Sequence, residues 1–196
     1  MVDRGPRARM VFSAAQLIRR DGVTATGMRD VVLHAEAPRG SLQHYFPGGK
    51  EQLVNEAVQW GGWYASNRIG RFVAGMSRPS PRKLFAAMAG QWIEEFRTIG
   101  FHSGCPVAAA TIDCAHSADS TRDAAAAAFA SWRVATAGAL TDMGVAARRA
   151  NSLATLMIST LEGAVLMARA EQNVSALTVA VRELGPLLDG YVSEAG

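Results

Sequence analysis

The segment Pro47-Gly48-Gly49-Lys50 is the first candidate for chemistry, because glycines followed by a lysine are typical of loops that hold a nucleotide phosphate. Such a P-loop also requires a glycine at position 44 and Ser or Thr at position 51, where this chain has His44 and Glu51. It further requires a preceding strand, whereas this segment follows a predicted short helix. Nucleotide binding is therefore excluded here, and the glycines are predicted to end one helix and let the next begin.

A second candidate combines His102, Cys105, Cys114 and His116, whose side chains are the types that bind tetrahedral zinc. Their H-x2-C-x8-C-x-H spacing does not match a zinc finger, and Cys114 and His116 would point in different directions on a helix. A cysteine in a helical domain is commonly a small buried hydrophobic residue. Cys105 as a nucleophile beside His102 lacks an evident orienting group and oxyanion hole. We therefore predict no metal site, no cofactor and no enzymatic activity.

Isolated carboxylates and aromatic side chains in the second part of the chain form a third set of candidates. Asp113 and Glu162 each lie within an apolar helical segment. Three alternatives are open for each carboxylate: a buried hydrogen-bonded group, a surface residue, or the polar recognition point of a pocket. Plain core packing is the alternative for the aromatic and sulphur-containing side chains around them.

The composition predicts an all-helical protein, so helices must position the candidate residues described above. Of the 196 residues 49% are apolar and 19% are charged, which favours a folded core, and Ile, Val and Thr form no alternating runs. Ser80-Pro81 and Ser120 with Asp123 are predicted helix starts, and Pro38 suits a first helical turn. The predicted helices span 6–20, a short segment capped by Thr26, 38–45, 50 to the low 70s, 81–98, 106–115, 121–143, 147–172 and 176–190.

The net charge of +3 is distributed unevenly along the chain. Residues 1–50 hold eight Lys and Arg against four Asp and Glu, which favours a polyanionic partner, although a merely soluble basic surface is the alternative. Two cysteines do not form a disulfide framework, no signal peptide precedes the basic first residues, and no apolar run reaches the length of a membrane span. A cytoplasmic protein that does not bind membranes is therefore expected.

The three predicted N-terminal helices have the order and lengths of a helix-turn-helix unit. In the third helix Gly40 and Ser41 keep the leading end thin enough for a major groove, while Leu42 and Phe46 face inward. Gln side chains can bond adenine and Arg side chains can bond guanine. An ordinary small helical bundle remains the alternative. The outward residues are Arg39, Gln43, His44 and Tyr45.

The block TGMRDVVLHAEAPRGSLQHYFPGGKEQL resembles the DNA-binding domain of the TetR/AcrR family of one-component repressors, and the resemblance covers about residues 6–60. Two positions depart from the family pattern. Glu36 stands where members usually have the turn glycine, which predicts a strained or shifted turn, and Gln43 replaces a common aromatic residue. The resemblance implies that Thr26, Arg29, Tyr45 and Lys50 hold the DNA backbone, and that Arg39, Gly40, Ser41, Gln43 and His44 lie at or near base edges.

A looser resemblance extends to the branch that represses multidrug-export and flavonoid-responsive genes. Its matching pieces are FPGGKEQL, SGCPVAA at 103–109 and LEGAVLMARA at 161–170. This resemblance implies a pocket for a small lipophilic or aromatic effector. The predicted pocket residues are Trp92, Phe96, Phe101, Cys105, Phe129, Trp132, Met157 and Glu162.

The last two predicted helices are apolar on more than one side, so that one stripe can face the core and a second favours a homodimer. A central helix buried within a monomer is the alternative. We expect a helix-turn-helix domain at 1–50, a connecting helix at 50–75 and an effector-binding and dimerisation domain at 76–196. The predicted function is a ligand-responsive repressor that binds operator DNA, and the alternative is a helical ligand carrier or enzyme with an incidental basic N-terminus. The predicted dimer residues are Leu161, Val165, Leu177, Val181, Leu184 and Leu188.

Overall fold

The computed structural model describes residues 5–38, 40–114 and 119–192. Within these ranges the chain forms nine α-helices and no strand, which confirms the predicted all-helical class; an isolated bridge joins Val145 and Val192. The helices are α1 Pro6–Ala25, α2 Met28–His34, α3 Ser41–Tyr45, α4 Gly49–Ala74, α5 Pro81–Ile99, α6 Pro106–Cys114, α7 Asp119–Asp142, α8 Ala147–Glu171 and α9 Ser175–Asp189.

The chain divides into two compact units whose boundary differs from the one expected from the sequence. The N-terminal unit consists of Met1–Trp63 and Ser103–Phe129, and the C-terminal unit consists of Tyr64–His102 and Ala130–Gly196. The segment 103–129 joins the first unit because α6 packs against α1. Its buried residues Val107 and Ala110 share one apolar core with the N-terminal helices. Composition along the chain could not reveal this packing, since the Pro- and Ser-rich segment near residue 80 marks only the boundary between two consecutive helices.

The N-terminal unit is built around the apolar side of α1. Met10, Ala14 and Ile18 are at most 1% exposed, and full burial of a side chain the size of Met or Ile stabilises the fold by roughly 1.5–3 kcal/mol. Gly62 on α4 lies so close to α7 that an added Cβ would stand 2.7 Å from the Cα of Ala128. This position therefore requires glycine, because the nearest obstacle is the backbone of another helix.

The C-terminal unit packs α5, α8 and α9 against one another. Ser80 caps α5 as predicted: its Oγ accepts a hydrogen bond from the backbone N–H of Lys83 at 3.4 Å, and Pro81 occupies the first helical position. Helix α8 is long and apolar enough to cross a membrane by length and composition alone. Nine of its residues are buried within the protein, however, which is typical of the core helix of a globular unit.

Gly22, with φ 84° and ψ 170°, interrupts α1, and a short helical stretch after it continues to Ala25. Three other predicted helix boundaries are wrong in detail. Gly27 occupies the N-cap of α2, and the Thr26 hydroxyl instead donates to the Gly22 carbonyl at 2.7 Å. Helix α3 begins at Ser41, so Pro38 lies in the preceding turn and not in a first helical turn. Helix α7 begins at Asp119, and the Ser120 hydroxyl donates to the carboxylate of Glu51 and accepts from Nδ2 of Asn55, both on α4.

Candidate nucleic-acid interface

Helices α2 and α3 are held on the N-terminal unit by their inward residues. Val31 and Val32 of α2 are buried, and the ring of His34 shares a 2.9 Å hydrogen bond with Ser13 of α1. Helix α3 has only five residues and ends at Phe46, which is fully buried. Since so short a helix is not stable alone, this anchoring must supply its stability.

The turn before α3 contains a residue in the left-handed backbone region. Glu36 has φ 50°, as the missing family glycine predicted, and an L-residue in this region is strained. Arg9 of α1 donates from Nε to the Ala35 carbonyl at 3.0 Å and from Nη2 to the Glu36 carbonyl at 3.2 Å. These two hydrogen bonds hold the strained turn against α1.

The turn after α3 uses glycine for the same backbone requirement. Gly49 has φ 69° and donates its N–H to the Phe46 carbonyl at 2.9 Å. The N–H of Gly48 donates to Oε1 of Gln52 at 2.9 Å, which satisfies a group at the start of α4. The prediction that the glycines end the third helix and let the next begin is confirmed.

Of the eight predicted DNA-contacting residues that the structure describes, three present exposed side chains. Arg29 on α2 and Gln43 and His44 on α3 are exposed, and the His44 ring packs edge-on against Tyr45 with centroids 5.0 Å apart. Arg29 also lines a surface groove together with Glu36 and Leu42. The arrangement exposes an amide, an imidazole and a guanidinium, which are groups that can bond base edges and phosphates.

Other predicted contact residues are turned toward the protein. Tyr45 is half-buried against the apolar core, and the Ser41 hydroxyl donates to the Pro38 carbonyl at 2.6 Å. Nζ of Lys50 donates to the Thr24 carbonyl at 3.3 Å, which leaves two ammonium hydrogens for another acceptor. Thr26 is only 5% exposed, and its hydroxyl supports the α1–α2 turn. Gly40 is exposed at the leading end of α3, and Arg39 lies outside the described residues.

Much of the positive surplus in the first fifty residues is engaged within the unit. Arg7 forms an ion pair with Glu56 at 2.7 Å, and Arg19 donates to the Gly104 carbonyl at 2.8 Å. Arg20 donates from Nε and Nη2 to the carboxylate of Asp21, and these hydrogen bonds lower the pKa of that carboxyl below its usual value. The charge count along the sequence therefore did not indicate which of these cations face outward.

Asp113 of α6 is a contact that sequence reasoning missed. The sequence left its place open among a pocket, a surface and a buried site, whereas its Oδ2 accepts hydrogen bonds from the N–H groups of Val23 at 2.6 Å and Thr24 at 3.3 Å. Ninety residues separate Asp113 from Val23 along the chain. No local sequence signal could have paired them.

The predicted effector-pocket residues are divided between the units. In the C-terminal unit Trp92, Phe96 and Phe101 form a stack with centroid separations of 5.8 and 4.9 Å. Trp132 and Met157 are buried there, and both carboxylate oxygens of Glu162 are shielded from solvent. Cys105 and Phe129, in contrast, pack against the core of the N-terminal unit.

The predicted dimer residues are mostly buried inside the single chain. Leu161, Val165, Leu177, Leu184 and Leu188 are at most 7% exposed, and Val181 is half-buried. The physical reason is that α8, α9 and α5 bury these side chains against one another, so five of the six form the core and do not face a partner. A different set of large apolar side chains is exposed on these helices: Leu156, Leu166 and Met167 on α8, and Val179 and Leu187 on α9.

No group of three or more His, Cys, Asp and Glu side chains that could hold a metal ion occurs among the described residues. Of the four zinc candidates, Cys114 is buried, Cys105 is half-buried and His102 is exposed. His116 lies outside the described residues. Among the described residues, His102, Cys105 and Cys114 do not form such a group.

Two family models match the chain. Residues 13–57 match the model for bacterial regulatory proteins of the tetR family. Residues 81–183 match the model for the C-terminal domain of LmrA/YxaF-like transcriptional regulators. The first match contains α2 and α3 with both turns around α3, and the second contains the aromatic stack and α8.

Curated relatives match over nearly the whole chain. An uncharacterized HTH-type transcriptional regulator of Mycobacterium tuberculosis is 40% identical over 189 residues, covering 94% of each chain. The HTH-type regulator YxaF of Bacillus subtilis is 29% identical and covers 96% of this chain and 98% of its own length. LmrA from the same organism is 26% identical and covers 87% and 90%.

Solved structures share the fold. A TetR transcriptional regulator from Legionella pneumophila superposes with a TM-score of 0.79 at 20% identity, covering 95% of this chain and 98% of that one. The reduced form of Escherichia coli NemR gives a TM-score of 0.74, also at 20% identity, with coverages of 93% and 97%.

Proposed function

Because the chain belongs to the TetR family of ligand-responsive, DNA-binding transcriptional regulators, we propose that it is a homodimeric repressor of the LmrA/YxaF-like type. Each protomer inserts α3 into one major groove of a roughly palindromic operator. A small lipophilic or aromatic effector bound by the C-terminal unit releases the repressor. The observation that carries this proposal is the exposed set on α2 and α3, supported on a buried base and flanked by two fixed turns.

Within the operator complex the exposed residues divide by chemistry. Gln43 and His44 lie at base edges, where an amide can bond adenine through both of its polar atoms. Arg29 and Lys50 bind phosphates on either side, and the exposed backbone of Gly40 allows close approach. Ser41 and Tyr45 fix the orientation of α3, and Arg39, which lies outside the described residues, is kept as a proposed contact at base edges. These roles are supported by the exposure and internal hydrogen bonds of each side chain.

The exposed apolar face of α8 and α9 is the dimer surface in this proposal. Leu156, Leu166 and Met167 share one side of α8 with Gly163, around which a Cβ would meet no atom within 4 Å. A contiguous apolar face of this kind is typical of a surface that a partner covers, and the partner is a second copy because members of the family act as dimers.

The dimer surface can be tested by introducing charge. Met167→Glu and Leu187→Glu should each convert the dimer to monomer, because a carboxylate buried between two protomers is strongly unfavourable. Val134→Glu on α7 is the matched control, since Val134 is also exposed and apolar but does not belong to the proposed surface of α8 and α9. Sedimentation at several protein concentrations measures the result, and a dimer that survives both changes contradicts this surface.

The effector site is proposed in the C-terminal unit, where the Trp92–Phe96–Phe101 stack, Trp132, Met157 and Glu162 supply aromatic surface and a polar point. Cys105 and Phe129 are left out of this proposed effector site, because both pack against the core of the N-terminal unit. In this proposal residues 1–50 bind DNA and α4 connects them to the second region. Residues 76–196 supply most of the surfaces that bind the effector and the second protomer. The protein acts in the cytoplasm as a regulator and not as an enzyme, and a carrier function is disfavoured because both family models describe regulators.

Operator binding is tested by titrating the protein onto the promoter of its own gene over a series of salt concentrations. We expect a footprint and an affinity that falls steeply with salt, because phosphate contacts release counterions. Failure to retain any genomic fragment in preference to bulk DNA would exclude the repressor function.

Two single substitutions separate base contacts from phosphate contacts. Gln43→Ala should change base preference at one operator position by about 1–3 kcal/mol of discrimination, whereas Lys50→Ala should weaken all sequences alike and lower the salt slope by about 1. Competition on operator variants measures the first, and titration on mixed-sequence duplex measures the second. Equal effects of Gln43→Ala on every variant would remove Gln43 from the base contacts.

Release by the effector follows from a population shift. The ligand must bind the DNA-free dimer more tightly than the DNA-bound dimer, and the difference in affinity sets the extent of release. Screening aromatic compounds for release of the operator identifies the ligand. A ligand that binds both forms equally well cannot be the inducer.

A further inference from the structure

The last turn of α1 is interrupted at Gly22, which leaves backbone N–H groups in need of other acceptors. Gly22 breaks the helix with φ 84°, so the N–H groups of the two residues after it lose their ordinary intrahelical acceptors. Those residues are Val23 and Thr24, and Oδ2 of Asp113 accepts from both, at 2.6 and 3.3 Å. Asp113 therefore performs for this turn the task that an N-cap side chain performs for a helix.

The close approach of Asp113 favours glycine at position 22. A Cβ added to Gly22 would lie 2.5 Å from Oδ2 of Asp113, and the positive φ separately favours glycine. On its other side the turn is closed by the Thr26 hydroxyl, which donates to the Gly22 carbonyl at 2.7 Å. The conformation of residues 22–26 is thus fixed from two directions.

The same turn supplies the acceptor for Lys50. Nζ of Lys50 donates to the carbonyl of Thr24 at 3.3 Å, while the N–H of Thr24 donates to Asp113. A hydrogen-bonded path therefore runs from α6 through one residue of α1 to the ammonium group at the start of α4. Both hydrogen bonds of Thr24 in this path are 3.3 Å long, which is long for an N–H···O bond, so a small displacement of the turn would break them.

We propose that Asp113 is a positioning residue for DNA binding: by fixing the 22–26 turn, it holds the Thr24 carbonyl where it orients Lys50 toward a backbone phosphate. Without the carboxylate the turn loses its acceptor and the Thr24 carbonyl is no longer fixed. The lysine then regains rotamer freedom that it must give up again on binding DNA. This inference rests on the proposed phosphate contact of Lys50.

The test is a double-mutant cycle between Asp113→Ala and Lys50→Ala in the full-length protein, measured by titration onto mixed-sequence duplex DNA over a salt series. Asp113→Ala should lower affinity about tenfold and reduce the salt slope by about 1, as Lys50→Ala does. The double variant should bind no more weakly than Lys50→Ala alone, because Asp113 acts through the lysine. Asp123→Ala removes the same charge from an exposed site on α7, where the side chain is 77% exposed, and it should leave the salt slope unchanged.

The outcomes separate this inference from the function on which it rests. If Lys50→Ala leaves affinity and salt slope unchanged, the proposed phosphate contact is wrong and the inference fails with it. If Lys50→Ala weakens binding but Asp113→Ala does not, or if the two losses add, only the positioning role is overturned. Thermal unfolding of each variant shows whether a loss of affinity merely follows a loss of folded protein.

Asp113→Asn keeps the proposal testable if the alanine variant does not fold. The amide has the shape of the carboxylate and retains one oxygen acceptor, so it should preserve the turn and lose less affinity than alanine. An Asn variant that binds DNA as weakly as the Ala variant would show that negative charge, and not the position of the turn, is the property that matters. That result would overturn the positioning role.

Discussion

The two turns that flank α3 meet the same backbone requirement in different ways. Both contain a residue in the left-handed region, with φ 69° at Gly49 and φ 50° at Glu36. Gly49 adopts this conformation without steric cost, and an added Cβ would meet no atom within 4 Å. Glu36 adopts it against the preference of any L-residue, and its carbonyl is held by Arg9.

The difference shows how a strained position can be retained beside a recognition helix. The turn after α3 depends on the residue within it, whereas the turn before α3 depends on a side chain from another helix. Because Arg9 bonds backbone carbonyls, its contacts do not depend on which residue stands at position 36. The orientation of α3 is thus determined at one end locally and at the other end by α1.

The largest expected effect on this comparison comes from Arg9→Met. Loss of two charge-assisted hydrogen bonds should lower the free energy of unfolding by about 2 kcal/mol, because the Ala35 and Glu36 carbonyls lose their side-chain donor. Denaturant unfolding measures the change. Arg29→Met removes the same charge from an exposed position on α2 and should stay within about 0.5 kcal/mol of the parent. Equal losses in both variants would mean that Arg9 does not hold the turn.

A smaller loss is expected for Gly49→Ala. The substitution places an L-residue at φ 69° in open space, so its cost is conformational and should be about 1 kcal/mol. Gly40→Ala is the matched control, since its Cβ also meets nothing and its φ of −80° is ordinary. A change at Gly40 as large as that at Gly49 would contradict the conformational explanation.

The smallest stability effect is a gain from Glu36→Gly. Relief of the left-handed strain, offset by the greater flexibility of the unfolded chain, should raise the free energy of unfolding by about 0.5 kcal/mol. Glu36→Gln retains the strain and should leave stability unchanged. Both variants remove a negative charge from the groove that Arg29 lines, so both should bind mixed-sequence DNA about threefold more tightly at low salt. A stability gain in the Gln variant would mean that charge, and not backbone strain, limits this turn.

Sequence reasoning predicted the features that depend on local chemistry. The separation of α3 from α4 followed from Gly48-Gly49, and the Ser80-Pro81 cap followed from residue order. The strain at Glu36 was implied by the family resemblance, in which a glycine usually stands at this position. Contacts between distant segments could not be predicted, because nothing near Arg9 or Asp113 in the sequence indicates the carbonyl or N–H that each one binds. Thr26 shows the same limit, since a hydroxyl suited to capping or phosphate contact was used to close its own turn.

The apolar stripes of the last two helices show a further limit. Periodicity indicated that α8 and α9 have more apolar surface than one core needs, but it could not indicate which stripe the core takes. The regular spacing of Leu177, Leu184 and Leu188 favoured a seam between protomers, and these residues lie inside the single chain instead. Only the packed structure distinguishes the two stripes, because both have the same composition.

The close approach of α4 and α7 at Gly62 constrains how this sequence can vary. An alanine at position 62 would overlap the backbone of residue 128, so shortening the side chain at 128 from Ala to Gly cannot compensate for it. Variation at position 62 therefore requires the two helix axes to separate, with consequences for every residue along their contact. In a library randomised at both positions, selection for folded protein should retain glycine at 62 while tolerating glycine at 128.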